Sequence, residues 1–345
     1  MEDYLKRYHE PNKPARPVSE SYHDELERLW GRKWGAQSEF GKLRAALVHR
    51  PGLELDAESI DDPVWFGILD KPDLKRVQEQ NDNLVKVLKA EGVEVHYLNA
   101  PSPAHGPYSK VNPRIWGTRD SGVVINGGAI ISRMSLPWRK KDEVFWARRA
   151  VEIGCPILYT VNGNGTFEGG NVVWLDPKHV CIGQSVRTNA DGIAQVSRIM
   201  KEVGGVEEVI VVPIPGYLEN LEWPAGGWAH LDCIFGMADV DLGLIYPPGV
   251  PYFFIEKLMS YKVTLIEAPP EEAAKEACNI LALAPRKFIM NAGCPTVRRK
   301  AEKEGADVIE IDLSEYVKSG GAPHCMTGPL IRDPGPLLDI QPVKK

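Results

Sequence analysis

The chain has 345 residues, a formal net charge of −6, a pI near 5.8 and 43% hydrophobic residues. This balance argues against nucleic acid and anionic membrane as partners, and no apolar run approaches the roughly 18 residues of a membrane span. Met1 to Arg7 lack the apolar region of a secretory signal, and the six cysteines (Cys155, Cys181, Cys233, Cys278, Cys294, Cys325) show no CxxC spacing, so neither a zinc site nor a disulfide framework is expected. A soluble, cytoplasmic, globular protein follows. Its 28 prolines and 32 glycines predict many short elements joined by tight turns.

Residues 1–40 read as an N-terminal helical extension packed on the main body. Pro11, Pro14 and Pro17 break the first stretch, and Ser21 caps a helix running to about Trp34, with Leu26, Leu29 and Trp30 as its apolar stripe. Residues 41–345 read as a single catalytic domain. Leu43 to Val48 is a strand, Pro51-Gly52 a turn, Asp73 to Ala90 an amphipathic helix and Val93 to Leu98 a strand. The pattern then recurs. Gly122 to Ser132 is a strand pair, Lys141 to Ile153 a helix and Pro156 to Thr160 a strand. Asn171 to Leu175 and His179 to Gly183 form a hairpin, followed by a helix at 190–203 and a strand at 208–213. Leu231 to Phe235 and Leu242 to Tyr246 pair, with a helix at 252–259 and a strand at 262–268. Asn279 to Leu283 and Lys287 to Asn291 pair last, before a helix at 296–304 and a strand at 307–313. Five units of about 50 residues, each two strands, a helix and a strand, predict a radial α/β repeat in which loops converge at one end.

Four stretches carry chemistry. Gly320-Gly321-Ala322-Pro323-His324-Cys325 presents a thiol on a flexible loop before a short apolar run; Arg119-Asp120, Glu168-Gly169-Gly170-Asn171 and His230-Leu231-Asp232 each lie beside a strand. A thiol, a histidine and three carboxylates are the parts for nucleophilic attack on a cationic carbon centre. Each has a bland alternative: a buried core cysteine for Cys325, a salt bridge to Arg119 for Asp120, a satisfied core histidine for His230. Cys233 follows Asp232 and, on a strand, points the opposite way; the remaining cysteines read as structural. His49, His96 and His179 receive no role.

Together with Thr118, these stretches resemble the guanidino-group modifying enzymes, over most of residues 41 to 333. That superfamily has the pentein fold, a five-bladed α/β propeller of pseudo-fivefold ββαβ repeats. Within it the chain looks similar to arginine deiminases and their arginine dihydrolase relatives, whose other signature segments resemble Leu47-Val48-His49-Arg50-Pro51-Gly52 and Ile182 to Thr188. The departures are specific. Residues 92–120 leave no room for the helical domain that arginine deiminases insert, and Ala322-Pro323-His324-Cys325 mixes the deiminase proline with the histidine-cysteine pair of agmatine deiminases and amidinotransferases. The family asparagine six residues before the first aspartate is Arg114 here.

The resemblance implies a cofactor-free, metal-free hydrolase of arginine or an arginine-like guanidino compound, a possible homo-oligomer, working through a covalent thiouronium on Cys325. Asp120 and Asp232 suit the guanidinium N–H edges, His230 proton transfer to the leaving amine and from water, and Glu168 the orientation of His230 or the guanidinium itself. Arg187 and Arg139 lie nineteen residues after Glu168 and Asp120, the spacing of the family's carboxylate-binding arginines; the alternative for both is a solvated surface charge, Arg139 the more so beside Lys140 and Lys141. Arg119, Trp116 and Asn171 complete the expected substrate-binding set. An amidinotransferase, in which an acceptor amine replaces water, and a non-catalytic binding member of the fold are the other readings.

Overall fold

The structure is a computed structural model and describes residues 2–18, 20–55, 62–63, 65–99, 113–216 and 228–340. Residues 100–112, part of the stretch expected to lack a helical insertion, lie outside these.

Five three-stranded sheets are arranged on one plan. In four of them the first two strands form an antiparallel hairpin, a helix follows, and a third strand returns parallel to the second. These are Gly122–Ile125, Gly128–Ile131 and Ile157–Thr160; Val172–Asp176, His179–Gln184 and Glu208–Pro213; Phe235–Asp239, Leu242–Ile245 and Thr264–Glu267; and Leu281–Ala284, Lys287–Asn291 and Asp307–Ile311. Leu43–Val48 lacks a hairpin partner ahead of it in the chain. Gly328–Arg332, the strand after the cysteine loop, fills that place antiparallel to it, while Glu94–Tyr97 pairs parallel on the other side. The two ends of the repeat thus close the ring. First strands of neighbouring sheets touch, Gly328–Arg332 against Gly122–Ile125 and Val172–Asp176 against Phe235–Asp239. The five-bladed α/β propeller of the sequence reading is what these sheets form.

Local chemistry explains the elements. The inner strands are buried on both faces and built from runs such as Val172-Val173-Trp174-Leu175, as expected where no face meets water. The outer helices are amphipathic: Leu74–Ala90 buries Val77, Leu84, Val85 and Leu88 at helical spacing behind an Asp73 cap that accepts from the Arg76 amide. Asn189 caps Ala190–Glu202 in the same way.

Two predicted spans differ in ways that matter. The Ser21-capped helix covers Tyr22–Leu29 and stops there, because Gly31 takes a left-handed φ of 76°. Trp34, Ala36 and Phe40 then pack into the body, and Gly35 pairs with Ile331 at the edge of the first sheet. Leu231–Cys233 is a 3-10 turn and not the start of a strand, which begins only at Phe235.

Candidate active site

Each blade sends one loop to the same place, directly ahead of its first strand. Thr118 to Asp120, Glu168 to Asn171, His230 to Asp232, Asn279, and His324-Cys325 hold equivalent positions in the five units. Backbone bonds knit them together. The Gly169 amide donates to the Asp120 carbonyl (2.8 Å), the Arg119 amide to the Cys325 carbonyl (3.2 Å), and Thr118 Oγ1 to the carbonyls of Leu47 and Met326 (2.9 Å each). Gly170 is required by proximity: a Cβ there would stand 2.7 Å from Asp120 Oδ1 and 2.8 Å from His230 Nδ1.

The thiol side is built around Asp232 and Asn279. Asn279 Nδ2 donates to Cys325 Sγ (3.1 Å) and to the Asp232 carbonyl (3.2 Å), while its Oδ1 accepts the amides of His324 (3.2 Å) and Cys325 (3.3 Å). Asp232 Oδ2 lies 3.6 Å from Cys325 Sγ and 2.7 Å from His324 Nδ1. The other ring nitrogen of His324 meets Glu39 Oε2 at 3.0 Å. Arg119 pairs with Glu39 (3.1 Å) and contacts the same ring. Arg119 therefore braces the floor behind Asp232 and His324, and is not turned to a substrate as its place in the sequence set implied. Burial opposes the charge of Glu39, yet Arg119 and His324 outweigh it and hold the carboxyl down at about 2.

Cys233 requires a correction. The 3-10 turn swings it toward Asp232 instead of alternating it away, so its thiol, the Cys325 thiol and an Asp232 oxygen lie within 4.8 Å of one another. The Cys233 thiol, which donates to Asp232 Oδ1 (3.5 Å), favours the Cys325 thiolate beside it, but burial and the carboxylates of Asp232, Asp120 and Glu276 prevail and push the Cys325 thiol up to about 11. The other five thiols also lie above the usual value: Cys155 and Cys294 reach about 12, and Cys181, Cys233 and Cys278 are likewise raised. Alkylation by iodoacetamide in the absence of substrate should therefore map to Cys325 first. Its rate should climb about tenfold per pH unit from pH 7 to 10, since only the thiolate reacts. Cys233→Val should slow it at each pH by removing the neighbouring thiol that favours the Cys325 thiolate. A plateau near pH 8 would show that the thiol is not raised.

The acid-base side is organised by Glu168. Its Oε2 meets His230 Nε2 at 2.9 Å, and its Oε1 accepts from the Ser135 amide (3.1 Å) and hydroxyl (3.0 Å). Burial disfavours its charge, but Arg187, the His230 bond and Arg139 outweigh this and hold the carboxyl well below the usual range. Burial likewise favours a neutral His230, yet Asp120 (3.6 Å from Nδ1) and Glu168 prevail and raise its pKa. A histidine held between two carboxylates is set to carry and release a proton.

Arg139 is neither a solvated surface charge nor free for a substrate. It is 1% exposed, with Nε on Asp142 (3.0 Å), Nη1 on Asp120 Oδ2 (2.6 Å) and 3.6 Å from Glu168, and Nη2 3.5 Å from the Gly117 carbonyl. Asp120 Oδ1 keeps no hydrogen bond among the described residues. Asp120 thus pairs with Arg139, not with adjacent Arg119. Arg187 stays less engaged, 3.7 Å from Glu168 with its side chain 11% exposed. Asn171 is spent on structure, holding Thr188 Oγ1 (3.0 Å) and accepting the Leu231 amide (3.1 Å) beside His230. Trp116 is 2% exposed and packs edge-on against Tyr316; Gly321 of the cysteine loop lies so close over its ring that a Cβ would come within 2.4 Å. It supports the loop from beneath. Asp120, Glu168 and His230 lie close enough together to hold an ion, but the two carboxylates already hold a cation, the Arg139 guanidinium.

Several of these neighbours carried no signal in the sequence. Ser135 and Glu39 are unremarkable in isolation. Asp142 follows Arg139 by three residues, and Asn279 is the fifth unit's counterpart of the four motif loops, so the repeat itself pointed to it.

The arginine deiminase family model matches residues 113–250 and 252–332. Among curated relatives, the uncharacterized protein YkgA of Bacillus subtilis (strain 168) is 29% identical over 86% of this chain and 94% of its own length. The 2-nitroimidazole nitrohydrolase of Mycobacterium sp. (strain JS330) is 25% identical over 91% of this chain and 86% of that protein. Among solved structures, DDAH of Pseudomonas aeruginosa in complex with citrulline superposes with a TM-score of 0.67 at 24% identity, covering 84% of this chain and all of that one.

Proposed function

The chain belongs to the arginine deiminase family of enzymes that act on guanidino groups, and on that premise we propose that it hydrolyses a guanidino compound with a carboxylate-bearing tail through a covalent intermediate on Cys325. The observation that carries this reading is the meeting of Cys325, the His230–Glu168 pair, Asp120 and Asp232 from four separate blades.

The substrate guanidinium binds through its N–H edges to Asp120, whose Oδ1 has an open acceptor position, and to Asp232. Its positive charge answers the carboxylates that hold the Cys325 thiol at about 11, and so draws out the thiolate at the moment of binding, the thiol proton leaving to solvent. Sulfur adds to the guanidino carbon. His230 gives its proton to one nitrogen, which leaves as ammonia or an amine, and the carbon stays bound to sulfur as a thiouronium. Water then adds, with His230 taking its proton, and the C–S bond breaks to release a ureido product and the thiol. Glu168 keeps His230 aligned and charged between turnovers. The six free thiols fit the cytoplasmic setting expected from the sequence.

The test is product analysis by mass spectrometry on arginine, methylated arginines, agmatine, guanidino acids and 2-nitroimidazole, with and without acceptor amines. Steady release of ammonia or amine with a ureido product, and a transient adduct on Cys325, is the expected result. Release that needs an acceptor amine would make the protein an amidinotransferase. Nitrite from 2-nitroimidazole with no guanidine turned over would move the reading to the chemistry named for the Mycobacterium relative.

A further inference from the structure

The two aspartates that receive the guanidinium are each backed by a histidine and a glutamate, in the same order. His230 turns Nδ1 toward Asp120 (3.6 Å) and Nε2 toward Glu168 (2.9 Å). His324 turns Nδ1 toward Asp232 (2.7 Å) and Nε2 toward Glu39 (3.0 Å). The distances set the two apart. Asp120 is held by Arg139 at 2.6 Å, so its histidine stands back and stays free to move a proton. No lysine or arginine pairs with Asp232 among the described residues; His324 makes the close contact that Arg139 makes on the other side. An ionised carboxylate only accepts, so Nδ1 of His324 carries the hydrogen of that bond. The remaining side-chain contacts of Asp232 are thiols, Cys233 on Oδ1 (3.5 Å) and Cys325 beside Oδ2 (3.6 Å), both weak donors. Glu39 and Arg119 grip the far side of the ring, and all three residues are buried. Burial disfavours the charge of Asp232, yet His324, His230 and Arg119 outweigh it and hold the carboxyl below its usual range.

We propose, resting on the guanidine-hydrolase reading, that His324 is the positioning residue of Asp232: it keeps this carboxylate ionised and fixed in one orientation for the substrate guanidinium, as Arg139 does for Asp120. His324 acts through Asp232 and does not touch the substrate. A carboxyl that is 1% exposed and left with two thiols takes up a proton, since burial favours its neutral form. A neutral Asp232 offers the guanidinium a dipole in place of a charge, and binding weakens. The other groups around Asp232 that titrate or carry charge are His230, Cys233, Cys325, Glu276 and Arg119. None of them makes the short bond that His324 makes.

His324→Leu, His324→Asn and His324→Gln test this, with the guanidino compound that the wild type turns over best. An asparagine amide nitrogen lies as many bonds from Cβ as Nδ1 and keeps the donor to Asp232; a glutamine amide reaches the Nε2 end, and leucine supplies neither. His324→Leu should raise KM by ~30-fold at pH 6, the lower range for stranding one partner of a buried charged pair. Its kcat should change little, because the guanidinium is gripped alike in ground and transition states. The defect should shrink as the pH rises from 6 to 9, where Asp232 ionises without help. His324→Asn should recover most of the loss and His324→Gln little of it. Glu39 keeps Arg119 and the Trp174 amide (3.3 Å) in all three, so their circular dichroism should match the wild type; where His324→Leu does not fold, the contrast between His324→Asn and His324→Gln decides. A loss carried by kcat and equal from pH 6 to 9, or His324→Asn and His324→Gln performing alike, would overturn the inference, make His324 a packing residue of the cysteine loop and leave the hydrolase reading intact. A His324→Leu protein with the wild type's KM at pH 6 would do the same. A wild type that turns over no guanidino compound and forms no Cys325 adduct would remove the hydrolase reading and this inference with it.

Discussion

Cys325→Ala is expected to stop turnover, with a loss of ~10⁴-fold or more, the scale seen when a covalent nucleophile is removed from a site whose members act as a unit. The fold should survive. Cys325 contributes one small sulfur to a large core, and Asn279, which donates to it, keeps the Asp232 carbonyl as an acceptor and the His324 and Cys325 amides as donors. Thermal unfolding should therefore shift by a few degrees at most. Cys325→Ser should be nearly as inactive, because a hydroxyl among Asp232, Asp120 and Glu276 has no route to its anion where a thiol already sits at about 11. Kinetics on the alanine variant, with circular dichroism to check folding, decide the matter. Turnover above a few per cent of wild type would rule out the covalent route.

The thiol's high pKa bears on selectivity. Its neighbours are carboxylates, so the resting site holds protonated sulfur, and a bound cation is the partner that changes this. Neutral analogues of the substrate should consequently be poor at drawing out the thiolate even where they fit. Glu276, pushed up to about 8 by burial and by Asp232, is largely neutral at pH 7 and joins that negative surround only as the pH rises past 8, and no feature of the sequence singled it out.

What the sequence made legible were properties carried by single positions or by period. The five-unit rhythm was readable because inner strands buried on both faces are continuous apolar runs and outer helices show a 3.6-residue stripe. The motif loops were readable because glycines stand beside charged residues just ahead of those runs. What escaped depends on which atoms come close across blades. A spacing of nineteen residues placed Arg139 near Asp120 but could not say that it would turn inward to three carboxylates and leave the substrate. The strand predicted from Leu231 failed over its first four residues, and that local change of pitch reversed the side on which Cys233 appears. Arg119 found its partner, Glu39, 80 residues earlier in the chain, a distance over which no pattern operates. The closing strand Gly328–Arg332 read only as a short apolar run after the cysteine loop, because a pairing between residues 43 and 332 leaves no local trace.

Arg139→Ala is expected to be among the most destabilising single changes in the protein. As a tail-binding residue, Arg139 would be dispensable for folding, and its loss would raise KM alone. Its actual place is at the centre of Asp120, Asp142 and Glu168, all nearly or fully buried. Removing the one guanidinium leaves Asp120 and Asp142 without their main cation and Glu168 without one of its counter-charges, and breaking a buried pair in this way costs about 3–5 kcal/mol. A fall in Tm of roughly 4–7 °C follows for a chain of this size. The pH dependence supplies a second readout. In the wild type Glu168 titrates below its unfolded value of 4.5, so its contribution is present above about pH 4.5 and is lost as pH falls through the folded value. In Arg139→Ala one of its counter-charges is gone while Arg187 and His230 remain, so the Glu168 pKa rises and that contribution shrinks. The stability gap between wild type and variant should therefore be widest near neutral pH and narrow as the pH drops below about 4.5. Arg139→Lys should recover only part of the gap, since an ammonium reaches one carboxylate well where the fork reaches three. Denaturant unfolding of the three proteins at pH 7 and pH 4 makes the comparison. An Arg139→Ala protein as stable as the wild type at pH 7, with its defect confined to KM, would return Arg139 to the tail-binding role.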